Sequence, residues 1–143
     1  MIVQPKPGEG WGELLGSPRA NGGDPLPSEL VAQIDAALGL LPPGQAVGLL
    51  AGGTPSVLFT VQVIGPLEWA VHWASDGRTP LSTSLDVLDA LVGGYPGVRW
   101  LAFCRRPALV RLLAGRGWWL QSHEDDPFMA LMVCQSGSDV TPE

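Results

Sequence analysis

Charge is the property this sequence has least of. Only 15% of its 143 residues are charged, against roughly 25% in ordinary soluble domains, so much of the surface is neutral. The 14 acidic and 8 basic side chains leave a net charge of -6. That sign repels a phosphate backbone and excludes broad nucleic-acid binding unless arginines gather locally. Arg99, Arg105, Arg106, Arg111 and Arg116 are such a gathering, five of the eight basic residues within 18 positions. They either form a basic patch or solvate one strand and the helix after it. Cysteine is also scarce. Cys104 and Cys134 each lie in an apolar run, read as reduced, buried thiols suited to an intracellular compartment, and would bridge only from neighbouring strands in the right geometry. Long apolar runs are missing: Gly, Pro or charge breaks each before about 18 residues, and no basic-then-apolar leader opens the chain. The expectation is a cytoplasmic protein with no membrane span and no standard export signal. The two histidines, two cysteines and Asp125-Asp126 show no metal-ligand spacing. No G-x-S-x-G elbow surrounds Ser82, Thr83 and Ser84, which read as hydroxyls at a helix start.

Glycine and proline, by contrast, are abundant, and the first 27 residues hold eleven of them from Pro5 to Pro27. That density defeats helix and strand periodicity alike, so residues 1–27 read as an extended arm. Its large apolar groups, Trp11, Leu14, Leu15 and Leu26, are anchors that dock either on the arm's own domain or on another subunit. Trp11, Leu14 and Leu15 are the candidate partner-binding residues.

From residue 28 to 135 the pattern becomes that of one α/β domain, with a polar tail at 136–143. Ser28 is a plausible cap for a helix over Glu29–Leu40, with Leu30, Ile34, Leu38 and Leu41 as its apolar stripe and Pro42-Pro43 as its stop. Ala46–Ala51 and Ser56–Ile64 are β-rich runs joined by Gly52-Gly53-Thr54-Pro55, as a hairpin or a looser loop. Leu67, Trp69, Val71 and Trp73 alternate along a third strand, which completes an antiparallel meander. Thr83 is placed to cap a helix buried through Leu85, Leu88, Leu91 and Val92, and Asp86 stands near its positive end. Val98–Cys104 reads as a strand parallel to the third, because a strand-helix-strand crossover joins them. Pro107 opens a second helix, buried through Leu109, Leu112 and Leu113 and ended by Gly115 or Gly117. A last hairpin pairs Trp118–Ser122 with Phe128–Cys134 around His123–Pro127. Trp118 and Trp119 are adjacent, so within a strand one of them points away from the face the other buries.

This order, a mixed sheet with an antiparallel meander and then β-α-β-α-β-β, resembles the GNAT N-acetyltransferase superfamily over roughly Ala46 to Val133. Phe103–Trp118 resembles the family's segment N-x-x-A-x-x-L-Y-x-x-x-G-F. On that resemblance Gly117-Trp118 is the Gly-aromatic end, Leu112-Leu113 the Leu-Tyr pair, Leu109 the small residue and Arg106 the Asn. The family's acetyl-CoA loop, of the type Q/R-x-x-G-x-G/A, falls on Arg78–Thr83. The resemblance implies Arg78, Ser82 and Thr83 as cofactor-binding residues, and Glu68 and His72 as candidates for the base that deprotonates an amine. Leu81 replaces the loop's first glycine, Pro80 lacks an N–H, and Leu113, where the family carries an acidic tyrosine, cannot donate a proton. The resemblance with these departures implies a GNAT-like domain without a cofactor, serving as a binding or assembly module for protein subunits, its own or those of a larger complex such as a virion. The alternative is an acyl-CoA-dependent N-acetyltransferase with an atypical phosphate loop.

Overall fold

A computed structural model of the chain describes residues 2–17, 26–40, 45–104, 107–123 and 130–135. The strands are β1 (Ile2–Val3), β2 (Ala46–Ala51), β3 (Thr54–Gly65), β4 (Glu68–Ser75), β5 (Arg99–Cys104), β6 (Trp119–His123) and β7 (Ala130–Gln135). The helices are α1 (Trp11–Leu15), α2 (Ser28–Ala37, continued by a 3-10 turn at Leu38–Leu40), α3 (Leu81–Gly93) and α4 (Pro107–Ala114). The strands hydrogen-bond in the order β1-β2-β3-β4-β5-β7-β6. β4 and β5 run parallel, with Glu68 opposite Arg99 and Ala70 opposite Leu101. The pairs β1/β2, β2/β3, β5/β7 and β6/β7 are antiparallel. A parallel pair needs a crossover rather than a tight turn, and α3 supplies it. The mixed sheet expected from the element order is therefore present.

The chain divides into two compact units, Met1–Val61 with His72–Ser84, and Gln62–Val71 with Leu85–Glu143. In the first, Gly52 and Gly53 take φ of 61° and 84°, and Ala51 pairs with Thr54. Positive φ at both central residues is the twist-matched two-residue hairpin, which settles the choice between hairpin and looser loop.

The N-terminal segment departs from the extended arm expected of it. Ile2 pairs with Leu49 of β2, and α1 buries Trp11 completely among Leu14, Leu38, Leu58 and Ala74, with Val3, Leu15 and Leu50 packed on the cluster. Glycine is the means of this docking rather than an obstacle to it. A Cβ on Gly48 would stand 2.3 Å from Cη2 of Trp11, so the indole lies directly on the β2 backbone. A Cβ on Gly12 would stand 2.6 Å from the Val31 carbonyl oxygen, so α1 meets α2 at backbone distance. Polar ties complete the attachment. The Asp35 carboxylate accepts the N–H of Gly8 at 2.7 Å and of Gly12 at 3.2 Å, and Glu9 Oε1 accepts the Trp11 indole N–H at 2.9 Å and the Lys6 N–H at 2.8 Å. A domain boundary after residue 27 would cut through this core.

Ser28 does not cap α2 but is its first residue, and the Pro27 carbonyl accepts the N–H groups of Leu30 and Val31. No residue of α2 is fully buried; among the described residues of the stripe, Leu38 in the 3-10 turn is the one that reaches the core. Leu41, Pro42 and Pro43 lie outside the described residues, as do Arg105, Arg106, Asp125-Asp126, Phe128 and the tail 136–143.

In the second unit Ala70, Leu101, Leu131 and Val133 form one buried cluster. Trp69 meets Tyr95 and Trp100 edge-on, with ring centroids 4.9 and 5.5 Å apart, the geometry that ring quadrupoles favour. Leu85, Leu88, Leu91 and Val92 are buried as their spacing predicts. On α4 the burial is narrower than expected: Leu113 is fully buried, Leu109 half-buried, and Leu112 is 41% exposed. Leu109 and Leu113 are one i, i+4 row, while Leu112 falls at the edge of the buried stripe of a helix only eight residues long. Gly117 stops α4 with φ of 95°, and the Trp118 N–H reaches back to the Leu113 carbonyl at 3.1 Å. This left-handed cap buries Trp118 and leaves Trp119 47% exposed.

The arginine gathering is partly neutralised inside this unit. Arg116 Nη1 reaches Asp86 at 2.8 Å and Asp89 at 2.7 Å, and Arg99 donates to Gln121. Asp86 thus serves as an ion-pair partner. Cys104 faces Ala130 across the ladder and Cys134 faces Trp100, four positions apart on the ladder and out of disulfide reach; both are free thiols. Burial pushes the Cys104 thiol up to about 11. Cys134 is raised as well, by burial and by the charge of Asp89.

Candidate functional site

The loop between β4 and α3, where the resemblance places a cofactor cradle, is built around Asp76. An Asp-Gly pair favours a sharp turn, and Gly77 takes φ of 87°. The turn brings the Arg78 N–H onto Asp76 Oδ1 at 2.9 Å and Arg78 Nε onto Asp76 Oδ2 at 2.6 Å. Ser56 is fully buried on β3. Its hydroxyl donates to Asp76 Oδ1 at 2.8 Å and lies 2.7 Å from the Thr79 hydroxyl oxygen, while its carbonyl accepts the Asp76 N–H at 2.9 Å. The Arg78 guanidinium then crosses to the β2–β3 hairpin. Nη1 donates to the Ala51 carbonyl at 2.9 Å and Nη2 to the Pro55 carbonyl at 2.8 Å, with Thr54 at a long 3.5 Å. Gly77 spends its N–H on the Ser75 hydroxyl at 3.1 Å. Desolvation works to raise the Asp76 carboxyl, but the Arg78 N–H, the Ser56 hydroxyl and the guanidinium together outweigh it and hold the group below its ordinary 3.8.

Helix α3 starts at Leu81, two residues before the expected cap. Thr83 lies within the first turn, and its N–H, like that of Ser84, bonds the Pro80 carbonyl. Ser82 and Thr83 are exposed and Ser84 is buried. Leu81, at the first glycine position of the implied loop, is 45% exposed. The three implied cofactor residues therefore neighbour one another in the chain, but the charged one is already committed to protein acceptors.

Of the two candidate bases, Glu68 is half-buried in the second unit, in register with Arg99. His72 belongs to the first unit. It is at the surface, yet enough of its ring is covered that desolvation lowers its pKa from the usual 6.5 and keeps the imidazole neutral near pH 7. Leu113, at the implied tyrosine position, is fully buried. Trp11, Leu14 and Leu15, the implied partner contacts, are taken up by the core of their own unit. Among the described residues no group of three His, Cys, Asp or Glu could hold a metal ion, and no helix is long and apolar enough to cross a membrane. Sequence reasoning missed Ser56 and Asp76 as organisers of the loop. The Asp-Gly-Arg turn was a visible signal for Asp76, while Ser56 lies 20 residues upstream in an apolar strand and gave none.

No family model matches this sequence, and no curated protein matches it either. Solved structures do. The acetyltransferase of GNAT family from Streptococcus pneumoniae aligns with a TM-score of 0.63 at 12% identity, over 93% of this chain and 96% of that one. The N-acetylglutamate synthase from Neisseria gonorrhoeae, complexed with coenzyme A and N-acetyl-glutamate, aligns at 0.62 and 13% identity, over 94% and 34%. A GCN5-related N-acetyltransferase from Sphaerobacter thermophilus aligns at 0.61 and 19% identity, over 84% and 43%. This chain thus spans less than half the length of the last two. Identities this low speak for backbone topology alone, and they agree with the strand order and the β4-α3-β5 crossover: the chain has the fold of the GNAT acetyltransferases.

Proposed function

We propose that this chain uses the GNAT fold as a binding or assembly module for protein subunits rather than as an acyltransferase. The observation that carries the reading is the engagement of Arg78. A diphosphate held at this loop needs a free cation and unspent N–H groups. Here each guanidinium nitrogen already donates to a protein oxygen, on Asp76, Ala51 or Pro55, and the Asp76 carboxylate balances its charge, while the N–H groups of Asp76, Gly77 and Arg78 are bonded to Ser56, Ser75 and Asp76. Pro80 has none to give, and the exposed Leu81 side chain stands where a glycine would let a backbone approach. The residues present do not fit the diphosphate of acetyl-CoA, and no tyrosine stands at Leu113 to protonate a thiolate. A neutral surface carrying exposed Val63, Ile64 and Leu67 at the β3–β4 turn, and Trp119 and Leu120 on β6, suits packing against other subunits, with a virion as one such setting.

His72 favours a second reading, an N-acetyltransferase with an atypical phosphate loop, because a neutral surface imidazole is chemically fit to accept an amine proton. Calorimetry with acetyl-CoA separates the two. The assembly reading expects no binding at millimolar ligand. Micromolar binding that Arg78→Ala weakens would overturn it.

A further inference from the structure

We infer that the Asp76 carboxylate occupies an anion-binding site of this protein's own making, as a tethered occupant in the place an external carboxylate or phosphate would take. The inference rests on the reading above that this loop binds no cofactor diphosphate, and it explains how a loop with that resemblance keeps its shape unaided.

The site is defined by what surrounds the two carboxylate oxygens. Oδ1 takes the Arg78 backbone N–H at 2.9 Å and the Ser56 hydroxyl at 2.8 Å, and Oδ2 takes Arg78 Nε at 2.6 Å. A backbone N–H, a hydroxyl and a guanidinium converging on one group form the donor set that proteins present to carboxylates and phosphates. Two of the three donors, the Ser56 hydroxyl and the guanidinium, have supports that do not involve Asp76, while the Arg78 N–H is set by the turn itself. Ser56 is fully buried on a central strand, and the far side of the guanidinium is held by the Ala51 and Pro55 carbonyls. Those two carbonyls are neutral, so among the groups bonded to Arg78 the Asp76 carboxylate is the one that balances its charge. The Arg78 side chain is also 45% exposed, so a small anion can reach it from solvent.

Deleting the carboxylate should therefore leave a vacant, solvent-reachable cationic site rather than a collapsed loop. Asp76→Gly leaves room for an anion, and the Asp-Gly turn tolerates it. Asp76→Asn fills the same space without charge and serves as the occupied control. The measurement is thermal unfolding in sodium formate and in sodium phosphate, each against sodium chloride at equal ionic strength. Wild type and Asp76→Asn set the general effect of each salt, phosphate included, and are expected to shift alike. Asp76→Gly is expected to gain about 3 °C or more beyond that shift in formate or phosphate, and Asp76→Gly combined with Arg78→Gln to lose the excess. If Asp76→Gly does not fold in chloride, recovery of folded far-UV circular dichroism on adding formate or phosphate is read instead. An Asp76→Gly chain that shifts no further than wild type in either anion, or an excess that survives without Arg78, overturns the inference. Wild type binding acetyl-CoA would overturn the assembly reading, whereas absence of the excess with no such binding overturns this inference alone.

Discussion

Trp11→Ala tests whether the N-terminal segment belongs to the core. The indole is fully buried, lies on the Gly48 backbone and packs with Leu14, Leu38, Leu58 and Ala74. A buried aromatic of this size removes roughly 150–250 Å² from water, and truncation to Ala in a core that cannot collapse costs about 3–5 kcal/mol. Relief of a cavity would require α1 to sink toward β2, and the contacts of Gly12 with Val31 and Asp35 hold it in place. The bond from the indole N–H to Glu9 adds little, because Glu9 is at the surface and water replaces the donor. Set against a total stability of about 5–15 kcal/mol, the loss lowers the Tm by roughly 10–15 °C for a chain of this length. Thermal unfolding followed by circular dichroism measures the fall in Tm, and urea unfolding the free energy. A fall of less than about 3 °C, together with changed self-association on a sizing column, would mean that the segment is an arm after all and that the packing described here is wrong.

Other outcomes follow from the same packing and from the titrating groups. Gly48→Ala should destabilise by about 1–3 kcal/mol, because its Cβ meets the rigid indole at 2.3 Å; a neutral result by chemical denaturation would show that the ring has room to move. Cys104, held near 11 by burial, should be about one part in a thousand thiolate at pH 8, so iodoacetamide should leave it unmodified in the native protein and label it once urea unfolds the chain; fast native labelling would contradict its burial. The depressed Asp76 pKa means that its contribution is fully present above the ordinary 3.8 and is lost as pH falls through the lower folded-state value. The Tm gap between wild type and Asp76→Asn should stay constant from pH 7 to about 5 and close below about 4; a gap independent of pH would remove the carboxylate's charge from the account.

Local pattern was enough wherever a residue's neighbours in sequence are also its constraints. The strands over Ser56–Ile64 and Leu67–Trp73, a glycine-bearing connection at 52–55, the Leu85–Leu88–Leu91–Val92 stripe and the Gly117-Trp118 stop all appear where the sequence places them, whereas the one-sided alternation does not hold, since Ser56 and Leu58 are fully buried and Val63 and Leu67 are exposed. Together these elements suffice to predict the mixed sheet and its parallel crossover. Pattern failed where the partner is remote. The glycines at 12 and 16 read as helix breakers, because nothing local reveals that α2 approaches them at Val31 and Asp35 too closely for a side chain. Trp11 reads as an anchor whose seat, its own domain or another subunit, stays open in the sequence, because that seat is a glycine 37 positions away. Helix α4 is too short for i, i+3 and i, i+4 spacing to distinguish Leu112 from Leu113.

The site divides in the same way. The sequence by itself determined which side chains stand at the positions that the resemblance singles out: a proline without an N–H at 80, a leucine at 81 and another on α4 at 113 are facts of composition that no folding can reverse. Only tertiary structure decided what Arg78 does. A guanidinium has five donors and no intrinsic preference between a ligand's phosphate and the chain's own oxygens. The Asp76 carboxylate is a neighbour in sequence, but the choice also depended on whether folding brought the Ala51 and Pro55 carbonyls within 3 Å of the guanidinium, over separations of 27 and 23 residues that no local pattern encodes.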